Sequence, residues 1–204
     1  PVVKAWCTDT GLAITSTNIQ VHGGMGFMEE TGAGQPYRDA RITTIYEGTN
    51  GVQAMDLLGR KVVRNGGETV HTFIKNVRET INTLDTNEPS QLSISSHLSN
   101  SLDALETAVA WMVETFPNQP GQAAAGATSF LEMMGLISGG WMLARGVIEA
   151  NIQLKSEQGD TNFLNSKIKT AQYFAHAHLS RTPSLLYPIT GCGDCVMEFE
   201  ASNF

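Results

Sequence analysis

Tyr46-Glu47-Gly48, a carboxylate between an aromatic residue and a glycine, is the arrangement best placed to do chemistry, and Thr49-Asn50 follow it at once. Thr and Asn both favour helix N-caps, so Glu47 is predicted to lie just ahead of a helix, where the macrodipole favours the charged carboxylate. Partial burial beside Tyr46 is expected to act the other way and raise its pKa towards a useful base strength. On the residues alone, a surface glutamate that merely complements the dipole is the commoner case.

A second motif, Gln20-Val21-His22-Gly23-Gly24-Met25-Gly26-Phe27, places glycines directly after a predicted helix. Such a turn permits positive φ and lets backbone N–H groups approach a bulky anion such as a pyrophosphate. Taken alone, a purely structural glycine cap is the default. His22 is read as a packing residue. In Tyr37-Arg38-Asp39-Ala40-Arg41, structural ion pairing is favoured over phosphate contact for both arginines.

Other reactive residue types are set aside. Cys192-Gly193-Asp194-Cys195 is a lone C-x-x-C without a second pair. His176 and His178 sit two apart on a predicted helix and face different ways, which disfavours shared ligation, so no metal site is expected. The methionines and Trp141 of the Gln122–Gln158 segment are expected to fill a core.

These residues need a helical frame. The first twenty residues read as a helix through Trp6, Ala13, Ile14 and Ile19, and Gly23 to Pro36 as a structured loop. A second helix is predicted from Thr49 or Asn50 to Arg64, with Val52, Met55, Leu58 and Val62 as its apolar stripe. Asn65-Gly66-Gly67 should end it and form the seam between two parts, 1–64 and 65–204. Beyond the seam, Val70, Phe73, Ile74, Val77, Ile81 and Leu84 mark an amphipathic helix. Thr86 to Ser96 reads as a polar connector, and Ser101 to Phe116 as the next helix. Pro117 and Pro120 bracket a break. Long helical segments from Gln122 to about Gln158 and from Asn162 to Leu179 follow, and the tail reads as irregular. No strand-like alternation is visible. The fold class is all-α: a helical segment with a functional loop, then an antiparallel bundle of about four helices.

Composition narrows the partners. The 204 residues are 41% apolar and 16% charged, as in an ordinary globular protein. A formal net charge of -7 argues against a general nucleic-acid binder, which needs a dense cationic surface. Gly126 to Ala150 is the most membrane-like stretch, but Glu132, Arg145 and the glycines Gly135, Gly139, Gly140 and Gly146 make it a buried bundle helix rather than a span. Three scattered cysteines fit a reducing, cytoplasmic setting better than a disulfide framework. Pro1-Val2-Val3-Lys4 does not resemble a secretory signal, and the absence of an initiating Met makes a fragment or processed chain the expectation.

The order and spacing of Q-V-H-G-G-M-G-F, Y-R-D-A-R-I and I-Y-E-G-T-N resemble the C-terminal signature of the acyl-CoA dehydrogenase family. The match is almost continuous from Gln20 to Gln53 and looser from Pro1 to Arg64. This resemblance outweighs the two bland readings above. It implies FAD held between a β-barrel and helical domains, and oxidation of an acyl-CoA thioester to 2-enoyl-CoA. Glu47 is then implied as the base for the α-proton, with its own backbone N–H polarising the thioester carbonyl. Tyr46 is implied to line the acyl pocket and Gly48 to leave room for the thioester. Thr49 is implied to contact the diphosphate side of FAD in the same subunit. Gln20, Gly23 and Gly24 are implied to reach the adenosine-diphosphate part in a neighbouring subunit, hence an oligomer.

The resemblance has departures. Many relatives carry glutamine where this chain has Gly51. The extension past Arg64 is similar to that of enlarged members, for which a homodimer is expected. An electron-transferring flavoprotein is the family's usual acceptor. The isolated chain is expected to be inactive, because the β-barrel and upstream helices lie outside these residues. The contrasting reading is a non-catalytic helical interaction module that keeps the signature as a remnant.

Overall fold

A computed structural model describes residues 1–200 and 202, and among them there are helices and no strands. The chain is all-α. The first helix, α1 (Val2–Val21), ends where Gly23 turns to φ 60°. The stretch expected as a structured loop is instead largely helical turns: α2 (Gly24–Phe27), a 3-10 turn (Glu29–Thr31) and α3 (Gln35–Arg41). The Thr31 hydroxyl lies 2.9 Å from both the Met25 and Met28 carbonyls and closes the connection locally, and Pro36 opens α3. Neither device produces a hydrophobic period, which is why the sequence pattern did not display them.

The helix expected from Thr49 begins as α4 (Asn50–Asp56), with the Val52 N–H donating to Thr49 Oγ1 at 3.4 Å as an N-cap bond. It runs on as a π-helical turn (Leu57–Val62) and a 3-10 turn (Val63–Asn65) before Gly66 and Gly67 stop it. The predicted apolar stripe is corrected in its first half. Ala54, Leu57, Leu58 and Val62 form the buried face, while Val52 and Met55, which precede the π turn, point outward.

Beyond Gly67 come α5 (Glu68–Ile81), α6 (Pro89–Thr115), α7 (Pro120–Ala125), α8 (Ala127–Lys155) and α9 (Thr161–Ala177). The long helices α5, α6, α8 and α9 pack together as the antiparallel bundle the pattern predicted. Their core is built from Ile74 and Val77, Leu98, Leu102 and Met112, Phe130 and Ile137, and Ala171 and Ala175. Fully burying each of the larger side chains contributes roughly 1.5–3 kcal/mol. The core is continuous with Ala5, Ala54, Leu58 and Val62 of the first part.

Two further expectations are corrected. The predicted polar connector up to Ser96 holds only as far as Glu88, because Pro89 starts α6 and Ile94 and Leu98 are already buried. The tail is not irregular: a 3-10 stretch (Leu179–Leu185) leads into α10 (Leu186–Thr190) and then α11 (Gly193–Met197). Pro183 lies in that 3-10 stretch and Pro188 in the first turn of α10, where a missing N–H costs little.

The glycines of α8 admit close neighbours. A Cβ on Gly135 would fall 2.2 Å from Trp6 Cγ, and one on Gly139 would fall 3.1 Å from Trp6 Cη2, so the α1 indole lies directly on α8. Gly140 makes the same room for Leu179, whereas Gly146 faces open space. Among the described residues no helix is long and apolar enough to cross a membrane.

Candidate functional site

Glu47 stands in a segment with unusual backbone geometry. Its φ is 56° and that of Gly48 is 82°, two consecutive residues in the left-handed region. For a residue with a Cβ this conformation costs about 1–2 kcal/mol, so the surroundings must hold it. The Gln53 side-chain amide donates to the Glu47 carbonyl at 2.9 Å, and the Lys4 ammonium donates to the Gly48 carbonyl at 2.9 Å. Among the described residues the Glu47 N–H meets no acceptor. Gly48 needs to be glycine for its φ, and a Cβ there would also press on Gln53 Nε2 at 3.3 Å.

The expected partial burial of Glu47 beside Tyr46 is not found in this chain. Glu47 is exposed, and Tyr46 is 49% exposed. The segment is held by its carbonyls, through Lys4 of α1 and Gln53 of α4. A cleft of about 530 Å³ opens nearby at the junction of α1, α4, α8 and α9, lined by Trp6, Asp9, Asn50, Leu131 and Phe174 among others. Glu47 does not line it.

The glycine turn lies at the other end of α1. Gln20, Gly23 and Gly24 are all exposed, and a Cβ on Gly23 or Gly24 would meet nothing within 4 Å. Gly26 differs, since a Cβ there would strike the Ile19 carbonyl at 2.1 Å, so it is required by packing on α1. His22 is exposed, and its Nδ1 lies 2.9 Å from the Asn18 carbonyl, which ties it to its own helix end and not to a packed interior. Thr49 sits with the opposite end of α1, beside Asn50, which contacts Ala5, Thr8 and Asp9. At 1.5 Å per residue, the two groups of predicted contacts are roughly 20 Å apart along α1. They do not form one enclosed pocket within the chain.

Arg38 pairs with Glu29 through two bonds of 2.9 Å, the structural pairing expected of it. Arg41 bonds the Thr44 hydroxyl instead of a carboxylate. Cys7, Cys192 and Cys195 are free thiols, and no cluster of His, Cys, Asp and Glu among the described residues has the form of a metal site. His176 contacts the His97 ring at 5.2 Å, while His178 stacks against Phe174 at 4.9 Å, so the two histidines do face different neighbours. Burial, together with the neighbouring His176, holds the His97 pKa below its usual value.

Sequence reasoning missed Lys4, Gln53 and the wider role of Asn50. Asn50 was read only as a possible cap, but its side chain joins α1 to the Glu47 segment. No local signal marks Lys4, whose partner is 44 residues away.

Comparison with known proteins places these features in a family. Residues 1–62 match the family described as acyl-CoA dehydrogenase, C-terminal domain. Residues 73–200 match that described as acetyl-CoA dehydrogenase C-terminal like. The chain is 39% identical to 3-methylmercaptopropionyl-CoA dehydrogenase of Ruegeria pomeroyi over 97% of its own length and 33% of that protein. It is 26% identical over its whole length to the broad-specificity linear acyl-CoA dehydrogenase of Mycobacterium tuberculosis, covering 34% of it. A 58-residue segment is 43% identical to the human mitochondrial short-chain specific acyl-CoA dehydrogenase, covering 28% of this chain and 14% of that enzyme. The chain thus spans about a third of the length of the first two relatives. With a signature loop, a following helical bundle and matches along nearly all its length, the chain belongs to the acyl-CoA dehydrogenase family and carries its C-terminal helical region.

Proposed function

We propose that the chain supplies the proton-abstracting side of a flavin-dependent acyl-CoA dehydrogenase, which converts an acyl-CoA thioester to its 2-enoyl-CoA with Glu47 as the base. The observation that carries this reading is the held, left-handed conformation of Glu47 and its N–H without an acceptor among the described residues. The α-proton of a thioester is very weakly acidic, so its removal needs a carboxylate and a donor at the carbonyl oxygen together. The Glu47 side chain takes the proton, and the Glu47 N–H donates to the oxygen on which charge builds. Tyr46 borders the acyl chain. Gly48, with no Cβ, leaves the thioester a path past the segment.

The residues fit an FAD at two separate points. Thr49 Oγ1 accepts the α4 cap bond, which leaves its O–H free to donate to a phosphate oxygen. Gln20 and the bare backbone of Gly23 and Gly24 offer an open surface for the adenosine-diphosphate portion. Bound FAD would supply the acceptor for the hydride that leaves the β-carbon. The separation of the two points along α1 supports contacts to two different cofactors, one of them in a neighbouring subunit of a homodimer. Residues outside this chain would complete the cavity around Glu47, and the chain alone would not turn over substrate. Within this reading, 1–64 is the catalytic part and 65–204 an accessory helical domain. An electron-transferring flavoprotein is the acceptor, and the setting is cytoplasmic.

The test is Glu47→Gln in the full-length flavoenzyme. Dehydrogenation should fall by about 10²–10⁴-fold, the usual contribution of a general base, with flavin absorbance unchanged. Activity close to that of the parent would remove Glu47 from the reaction.

A further inference from the structure

The Lys4 ammonium makes no ion pair among the described residues; its near partners are two neutral oxygens. It donates to the Gly48 carbonyl at 2.9 Å and to Asn50 Oδ1 at 2.7 Å. The Asn50 amide nitrogen in turn donates to the Ala5 carbonyl at 3.2 Å and to Asp9 Oδ1 at 2.7 Å, and lies 3.0 Å from Thr8 Oγ1. The first turns of α1 and the start of α4 therefore close a ring of bonds around Gly48. A charged donor strengthens a bond to a carbonyl about twofold over a neutral one. The Gly48 carbonyl belongs to the second of the two left-handed residues, so fixing it fixes the Gly48–Thr49 peptide plane and the exit of the chain from the left-handed pair. The first carbonyl is held separately by Gln53.

We propose that Lys4 is a positioning residue for Glu47: its ammonium, shared between the Gly48 carbonyl and the Asn50 amide, presets the backbone from which the carboxylate and its N–H act. This rests on the reading of Glu47 as the base, but its mechanical half does not. Without the cation, the two left-handed residues lose the charged donor at one of their two gripped carbonyls, and the segment relaxes towards ordinary φ values. A methionine at position 4 keeps the length and apolar stem of lysine and removes the donors. Arginine restores a cation in a different shape.

Backbone amide hydrogen exchange in the 204-residue chain separates positioning from general stability, with α6 residues 98–112 as the internal reference. In Lys4→Met, exchange across 45–53 should accelerate at least about tenfold more than exchange across the reference. Lys4→Arg should recover most of the protection. Equal acceleration of both segments would make Lys4 a general stabiliser and overturn the proposal, as would an unchanged 45–53 segment. In the full-length enzyme, Lys4→Met should lower kcat by about 10–100-fold with KM nearly constant, the pattern of a misplaced group rather than lost binding. Glu47→Gln separates the two ideas. If it stays active while Lys4→Met frees the segment, the base assignment falls and the Lys4 grip stands. If it is inactive while Lys4→Met changes neither exchange nor kcat, the Lys4 proposal falls alone.

Discussion

The segment from Val21 to Met55 and the bundle from Glu68 to Ala177 differ in how they place their large apolar side chains. In the bundle, Phe130, Leu98, Leu102, Met112 and Ile137 are entirely removed from solvent. In the earlier segment Phe27 is 86% exposed, and Met25, Ile45, Tyr46 and Val52 are also open. The bundle closes most of its core with its own helices, joined by Ala5, Ala54, Leu58 and Val62, and leaves only scattered side chains such as Leu92, Phe163 and Tyr173 open. The signature segment is ordered through carbonyl and ion-pair contacts, by Lys4, Gln53, Thr31 and Arg38, and leaves its apolar side chains outward. Clustered exposed apolar groups are a feature of surfaces that meet something else. A segment whose shape is set by polar grips can thus keep its apolar face for a partner or ligand, which fits the proposed function.

If the contrast is real, substitutions in the two regions should fail differently. The largest effect belongs to Glu47→Gln, which should remove activity on the scale given above and leave the urea midpoint of the chain within error, since the carboxylate is exposed and makes no ion pair among the described residues. A large loss of stability there would erase the distinction. Phe130→Ala, in the bundle, should cost about 3–5 kcal/mol in urea unfolding through the cavity it leaves. Gly135→Ala probes the junction of the two regions: the added methyl displaces Trp6 and should cost about 1–3 kcal/mol, with a change in indole fluorescence. An unshifted emission would mean that Trp6 does not rest on α8.

The smallest effect sharpens the comparison through pH. Burial and His176 lower the His97 pKa, so the folded chain resists protonation at this site more than the unfolded chain does. As pH falls through about 6.5 the unfolded chain gains its proton first, and stability declines; above that range the site imposes no penalty. His97→Gln should flatten the fall in thermal midpoint between pH 8 and pH 5.5. A parallel pair of curves would assign the acid sensitivity elsewhere.

Much of the bundle was legible because burial there follows a helical period. Val70, Ile74 and Val77 mark α5 in the sequence and line its buried face in the structure. The opening turns of α6 escaped notice because Ser90, Ser93, Ser95 and Ser96 dilute the period, although Ile94, Leu98 and Leu102 recur every four residues. Pro89 at the helix start was the available clue. Site residues were named from family resemblance, not from periodicity. The grip of Lys4 on Gly48 could not be read at all, since it joins positions distant in the chain and neither neighbourhood anticipates the other. The π turn was equally hidden, because Leu57, Leu58 and Val62 satisfy an ordinary α pattern.

The seat of Trp6 on Gly135 and Gly139 bears on how such chains can be recombined. A chimera that joins residues 1–64 to the bundle of another family member inherits an indole that demands two missing side chains on the facing helix. A donor with alanine or larger at either position would push α1 away from α8, and with it the lysine two residues earlier. Grafts should therefore succeed only when the aromatic and its glycine seat travel together, so the two halves are heritable as a matched pair and not as interchangeable parts.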